Sequence, residues 1–466
     1  MYFNELGQPL LCGVLFKNKR YIHLGSKAAE ATLSKLIALT NNNEIFFCYS
    51  LETLDVLSKC AETLGIFKAR NSSDSELPRK AGRAATALTL LINNKQFTVK
   101  VVQNFINLSI VDIYRVVGKT WLPLRKETTR EEMLSFYKED SRVFSFFLKQ
   151  LDFHLSQISP AWYLQNSIAA ASFAYLKAHV KQPEAVLYTS QHIFETLKRS
   201  FRGGRNELYT PGVHENVTVL DFKSLYNKLL LLEFPAENPT FIQNPKDFDT
   251  PGFYHVTVTS NLFLPILPQK KNSKVVYENG TFADVFWYEE LLLFKKYGGQ
   301  ILNISYGLIY SRCSAIFKEF AEICLKKRAS ASPLEKILYK AIVNSAIGYL
   351  GFHSVNSKHP IYRNIAIPMI VASRGRIAWY QQYIQLTSTP EHLCVYADTD
   401  SFFVKNMSQN FQLDPEIFNT ERLRTVVLFE KKKYVALTRA GLYKHVGVAN
   451  NLTLPAAIAY ASIQYS

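Results

Sequence analysis

The chain has 466 residues, of which 48% are hydrophobic and 20% charged. Such a chain can bury a sizeable core in about two to four domains, and the balance excludes wholesale disorder, collagen and coiled coil. Lys and Arg number 54 against 38 Asp and Glu, a net charge of +16. That charge points to a polyanionic partner, nucleic acid before anionic membrane, with a merely basic solvated surface as the alternative. No uninterrupted apolar run approaches about 18 residues, so no membrane span is expected. Residues 1–24 have neither a basic stretch before an apolar core nor a transit-peptide composition. Cys12, Cys48, Cys60, Cys313, Cys324 and Cys394 are scattered. They fit reduced thiols and support neither a zinc site nor a disulfide framework.

In chain order, short apolar runs at Leu10–Phe16 and Ile45–Tyr49 alternate with turns. The polar, proline-bearing stretch Ala69–Arg83 predicts a loop or linker. A helix is expected from Thr128 or Thr129, each followed three places on by Glu, the capping-box spacing. A second helical region covers residues 160–200. Phe201–Gly204 reads as a loop, Val217–Leu220 as a strand and SLYNKLLLLEF as a helix start. Residues 233–315 are rich in Pro, Gly, Asn and aromatics and read as an irregular insertion. Residues 316–350 turn helical again, and the segment after 390 alternates as strands do. No internal repeat or low-complexity tract occurs.

Three segments carry chemistry. In LCVYADTDSFFV, residues 393–404, two β-rich runs flank Ala397–Asp400, a hairpin with acids at its tip. Asp398 and Asp400 are two apart and repel unless a divalent cation lies between them. DTD is equally ordinary turn composition. In VTVLDFKSLYNKLL, residues 217–230, a strand ends in Asp221, placed either to meet those acids or to cap the following helix. In SPLEKILYKAIVNSAIGYLG, residues 332–351, Leu334, Ile337, Leu338, Ala341, Ile342 and Ser345 form the expected packed stripe. Lys336, Lys340 and Asn344 form a second row, able to offer point charges to a triphosphate or simply solvated, and Gly348 is a candidate terminator.

In this order the segments resemble the polymerase motifs of the family B DNA polymerases. DFKSLY resembles Asp-x-x-Ser-Leu-Tyr-Pro, KAIVNSAIG resembles Lys-x-x-x-Asn-Ser-x-Tyr-Gly, and YADTDS matches Tyr-x-Asp-Thr-Asp-Ser in full. Lys432-Lys433-Tyr434 resembles the Lys-x-Tyr motif, and Phe201-Arg202-Gly203-Gly204 the Tyr-x-Gly-Gly motif. The Gly-Gly motif and the long segment between Asp221 and Lys340 resemble the protein-primed polymerases of phages, adenoviruses and linear organellar plasmids.

The resemblance implies a mixed α/β (α+β) chain: a right-hand palm and fingers behind a ribonuclease H-like exonuclease-type domain. Its expected divisions are 1–165 exonuclease-like, 166–232 connection and first palm, 233–315 protein-primed-type insertion, 316–355 fingers, 356–450 palm continuation and 451–466 a thumb remnant. It implies template-dependent addition of dNTPs to a 3′-hydroxyl with two Mg²⁺ ions. Asp221 and Asp400 would hold the metals with Asp398 in support. Tyr226, Lys340 and Asn344 would bind the nucleotide; Lys432, Tyr434, Arg202, Gly203 and Gly204 would bind primer and template. Expected partners are DNA primer-template and dNTPs, with a terminal protein as an open source of the priming hydroxyl. A monomer without membrane contact is expected, in the mitochondrion, with plastid or viral origins as alternatives.

Several positions depart from the pattern. Asn227 stands where proline is usual, and Ile347 replaces the second motif's tyrosine. FYKEDSRV has Phe136 for tyrosine but keeps Asp140; YSLETLD keeps Asp55 without the usual asparagine; the first exonuclease motif is reduced to Phe3-Asn4-Glu5. A two-metal exonuclease lacking an acid should be weak or dead. The short ends relative to the family suggest a truncated copy. The competing expectation is an inactive remnant that retains nucleic-acid binding. A reverse transcriptase or RNA polymerase is disfavoured by Thr399 within YADTDS and by Tyr226.

Overall fold

The computed structural model describes residues 167–465 apart from 273, 355–360, 408–410, 412–413 and 450–451. Nearer the N-terminus it describes 2–3, 9–16, 19–24, 33, 44–48, 57, 67–68, 87–92, 95–101, 106, 108, 110–119, 130–158 and 162. The expected linker Ala69–Arg83 and the candidates Glu5 and Asp55 lie outside these residues. The chain divides into two compact units. One is built mainly from Met1–Ala178 and Lys327–Tyr349, the other mainly from His179–Lys326 and His359–Ser466.

In the first unit, Glu44–Cys48 pairs in parallel with Lys95–Val101, which pairs antiparallel with Ala87–Ile92. The long helix Arg130–Ile158 begins one residue past Thr129, in line with the capping-box expectation. Val143, Phe147, Leu151 and Leu155 recur every four residues along it and are buried, the stripe that an amphipathic helix turns to its core. The helical region expected over 160–200 is three helices, Ile168–Ala178, Pro183–Leu187 and Gln191–Arg199.

The helix Pro333–Leu350 opens on a reciprocal capping box. The Glu335 amide donates to Ser332 Oγ, while the Ser332 amide donates to Glu335 Oε2 at 2.8 Å. That backbone donor holds the Glu335 carboxyl below its ordinary range. Two expectations for this helix change. Gly348 lies within it, and Ile337 is exposed. The buried stripe is Leu334, Leu338, Tyr339, Ile342, Val343, Ala346, Ile347 and Leu350. The 3-4 rhythm admits two overlapping stripes on an apolar helix, and packing selects this one.

The second unit is organised by a seven-stranded antiparallel sheet. Its order is Tyr443–Val446, Lys433–Thr438, Phe418–Glu430, Gly212–Phe222, Ser401–Lys405, Leu393–Asp398, Glu207–Leu208. One face carries Val217, Val219, Phe403, Leu423, Val426, Leu428 and Ala436. On the opposite side the helix Leu454–Gln464 sets Leu454, Ala457 and Ala461 against Val427 and Val435. Thr453 caps this helix, accepting from the Ala456 amide at 3.4 Å. The helix start expected after Ser224 is a single short element, Leu225–Leu229.

The stretch 233–315 is regular, contrary to the irregular insertion expected. Thr240–Gln243, Gln300–Ile309, Gly252–Ser260 and Gly280–Trp287 form a four-stranded antiparallel sheet. Phe253, Tyr254, Val256, Val285, Phe286 and Trp287 form its buried core. The helix Tyr288–Lys296 follows and presents Glu289 and Glu290 to the helix Ala366–Thr387. That helix is buried without a break from Ala366 to Arg376, apolar as far as Ala372 and then carrying Arg374 and Arg376 against their carboxylate partners.

Candidate active site

Strand register gathers the acids. Asp221, one residue from the end of its strand, is paired with Ser401 on one side and Asn419 on the other. Ser401 is paired in turn with Asp398 across the tight hairpin turn of Thr399 and Asp400. Directly opposed residues in antiparallel strands point to one face. Asn419, Asp221, Ser401 and Asp398 therefore form a lateral row. The Phe222 amide donates to the Asp400 carbonyl at 2.8 Å, fastening the hairpin tip to the strand that carries Asp221. A cleft of about 320 Å³ opens on this face, lined by Asp221, Ser401, Asn419, Glu421, Tyr434 and Lys444 among others.

Asp398 is held by many donors. Its Oδ1 accepts from Asn206 Nδ2 at 2.7 Å, the Thr399 amide at 2.9 Å and Thr399 Oγ1 at 3.2 Å. Lys432 Nζ stands 3.8 Å from the same oxygen. Tyr396 donates its hydroxyl to Oδ2 at 3.4 Å. Among the described residues no three His, Cys, Asp or Glu side chains are gathered closely enough to cage a metal ion. The donor set fits a hard cation completed by substrate oxygens and water, as Mg²⁺ prefers, and does not fit an all-protein site.

Aromatic groups surround the acids. Tyr226 is half-buried, and burial, with Asp400 nearby, pushes its hydroxyl up to about 12 against the pull of Arg376. Tyr434 packs on Phe403 and Tyr396, with ring centroids 5.5 and 6.0 Å apart. Burial pushes the Tyr434 and Tyr396 hydroxyls to about 12. All three phenols therefore stay neutral at any ordinary pH. Lys432 occupies the left-handed region at φ 62°, and its amide donates to the Tyr396 hydroxyl at 3.1 Å. A Cβ on Gly447 would overlap the Lys432 carbonyl oxygen, so that close approach requires glycine.

The loop 201–206 has a different part from the one its sequence suggests. Arg202, expected on template phosphates, is 6% exposed, with its guanidinium on Asp284 and the carbonyls of Arg199 and Phe201. Arg205 is buried between the rings of Tyr277 and Trp379, at 4.0 and 4.7 Å. Gly203 is exposed, and its carbonyl accepts from Arg376 at 2.7 Å. A Cβ on Gly204 would overlap the side chain of Thr399, so the second glycine lets the loop lie on the hairpin tip. Arg376 also pairs with both oxygens of Glu290, at 2.7 and 2.8 Å. Sequence reading missed Asn206, Tyr396, Arg376 and Glu290 as site residues. Tyr396 was within reach as the first letter of YADTDS; the others depend on distant pairings.

In the first unit, Lys336, Lys340 and Asn344 are exposed in one row, continued by Gly348. Ile347, in place of the motif's tyrosine, is buried. Asp140 is half-buried and accepts from the Tyr114 hydroxyl. In the second unit, Asn227, in place of proline, is buried, and its amide has no hydrogen-bond partner among the described residues.

Known proteins bear on the fold and the family. A probable DNA polymerase of Podospora anserina is 25% identical over 195 residues, 40% of this chain and 16% of the relative's own length. Phi29 DNA polymerase with primer-template DNA superposes with a TM-score of 0.70 at 14% identity, over 96% of this chain and 88% of that one. Its ternary complex with primer-template DNA and incoming nucleotide gives 0.68 at 14% identity, over 93% and 88%. The fold is thus that of a right-hand polymerase. The sequence pattern of the organellar and viral type B DNA polymerases matches residues 127–419, well over half of the sequence, and the chain belongs to that family.

Proposed function

We propose that this chain is a DNA-directed DNA polymerase, adding dNTPs to a 3′-hydroxyl on a DNA template. The observation that carries the reading is the lateral row that brings Asp221 beside the 398–401 turn, with Asp400 tied to it by the Phe222 amide. Asp221 and Asp400 would hold Mg²⁺, with Asp398 in support. Bound cations, two in this reading, supply charge neutralisation at the attacking 3′-hydroxyl and the leaving pyrophosphate. Phosphoryl transfer otherwise asks for positioning, which this chain's own groups supply. Neutral Tyr226 closes one side of the acids and would exclude a ribose 2′-hydroxyl. Lys432 and Tyr434 would hold the primer terminus, and Lys340 and Asn344 the triphosphate. Gly203, exposed like Phe201 in the same loop, would be open to a template strand. Exposed lysines add salt-dependent, sequence-independent affinity.

Replication of organellar or plasmid DNA, in the mitochondrion, is the setting this reading favours, with plastid or viral settings as alternatives and a terminal protein as an open source of the priming hydroxyl. Among the described residues no helix is long and apolar enough to cross a membrane.

Primer extension with purified protein, four dNTPs and Mg²⁺ at low salt tests the reading, with Asp400→Ala beside it and filter binding on the same DNA. Extension by the wild type and a loss of about a thousandfold or more in the variant, the equivalent of about 4 kcal/mol, is expected. DNA binding without extension by either protein would favour an inert, nucleic-acid-binding remnant. Buried Ile347, at the place of the motif's tyrosine, is the observation on that side.

A further inference from the structure

We propose that Asn206 is a positioning residue that sets the orientation of Asp398. The inference rests on the polymerase reading of the acids. The edge strand pairs Leu208 with Tyr396 and Glu207 with Ala397. One step further along that register Asn206 falls opposite Asp398, extending the lateral row to a fifth member. Its Nδ2 donates to Asp398 Oδ1 at 2.7 Å and to the Tyr396 hydroxyl at 3.2 Å. Its own Oδ1 is buried with no hydrogen-bond partner among the described residues. The amide therefore has one sensible orientation, since the reverse would set an oxygen against a carboxylate.

This one amide joins three parts of the chain. It follows the loop whose carbonyls Arg376 holds and whose Gly204 lies on Thr399. It touches the acid of the hairpin. Through the Tyr396 hydroxyl it reaches the Lys432 amide. The result is an asymmetric carboxylate: among the described residues Oδ1 takes three donors within 3.2 Å, while Oδ2 has the single 3.4 Å contact from Tyr396. Asn206 thus decides which oxygen of Asp398 remains for a cation. It also competes with Lys432, 3.8 Å away, for the other. Outer groups that orient metal-binding carboxylates alter metal affinity when removed, without touching the ion.

The test uses Mn²⁺ as the probe. Its binding to the protein with primer-template DNA is followed by electron paramagnetic resonance for the wild type, Asn206→Leu and Asn206→Ser. Leucine keeps the bulk and removes the donor; serine keeps a donor. Asn206→Leu should weaken Mn²⁺ binding by about 10- to 100-fold. Asn206→Ser should recover most of that loss. In primer extension the half-saturating Mg²⁺ concentration should rise for the leucine variant, with KM for dNTP unchanged at saturating Mg²⁺. A purely structural role would not produce that split. Should the leucine variant fail to fold, Asn206→Ala against Asn206→Ser makes the same comparison. Wild-type Mn²⁺ affinity in the donor-free variant, or equal losses in both variants, overturns the assignment to Asn206 alone. A wild type that neither binds Mn²⁺ nor extends primers overturns the polymerase reading, and this inference with it.

Discussion

Four buried arginines of the second unit and a set of exposed lysines make opposite uses of the same charge. Arg202, Arg205, Arg374 and Arg376 are all buried, and each meets a carboxylate: Asp284, Glu207, Glu289 and Glu290. Lys336, Lys340, Lys431, Lys432 and Lys433 are exposed. Arginine's planar fork can satisfy a carboxylate and a backbone carbonyl together, as Arg376 does with Glu290 and Gly203. Lysine is a hydrated point charge on a flexible stem and stays at the surface. The four buried arginines are matched by four carboxylates and so add nothing to the net +16. Counting charges along the sequence cannot separate the two groups; only the pairing can.

Breaking the internal set should cost most. Arg376→Met leaves Glu290 buried without its partner and should destabilise the protein by about 3–5 kcal/mol. Adding Glu290→Met should restore much of this, read from urea unfolding of the single and double variants. Gly204→Ala is next, since Thr399 must give way to the new methyl. A loss of about 1–3 kcal/mol is expected, together with slower primer extension. On the lysine side, Lys340→Ala should raise KM for dNTP by about tenfold, roughly 1.4 kcal/mol. Its melting temperature should stay at the wild-type value, because the side chain is exposed. Smallest of all is Glu278→Gln, which breaks the exposed pair with Lys271 and should change stability by no more than about 1 kcal/mol. If Arg376→Met unfolds no more easily than Glu278→Gln, the contrast between the two sets of charges fails.

Much of the site was legible because its signals are local. The hairpin of Leu393–Lys405 and the strand carrying Asp221 follow from two-residue alternation and turn composition. The helix bearing Lys340 follows from its apolar rhythm. What failed depends on distant partners. Arg202 reads as a phosphate contact until Asp284, far along the chain, is seen to hold it. Residues 233–315 read as irregular because two of the four strands, Gly252–Ser260 and Gln300–Ile309, pair across register shifts amid Pro, Gly and Asn. Asn206 gave no signal in the sequence, since only strand pairing sets it opposite Asp398.

The left-handed backbone at Lys432 sets stability against the role proposed for its side chain. A side chain in that conformation costs about 1–2 kcal/mol, which glycine would avoid. Substituting glycine there should give a sturdier hairpin that lacks the ammonium group proposed to hold the primer end. On that proposal the turn is held short of its most stable form by the side chain that would grip the primer, a trade-off written into a single φ angle.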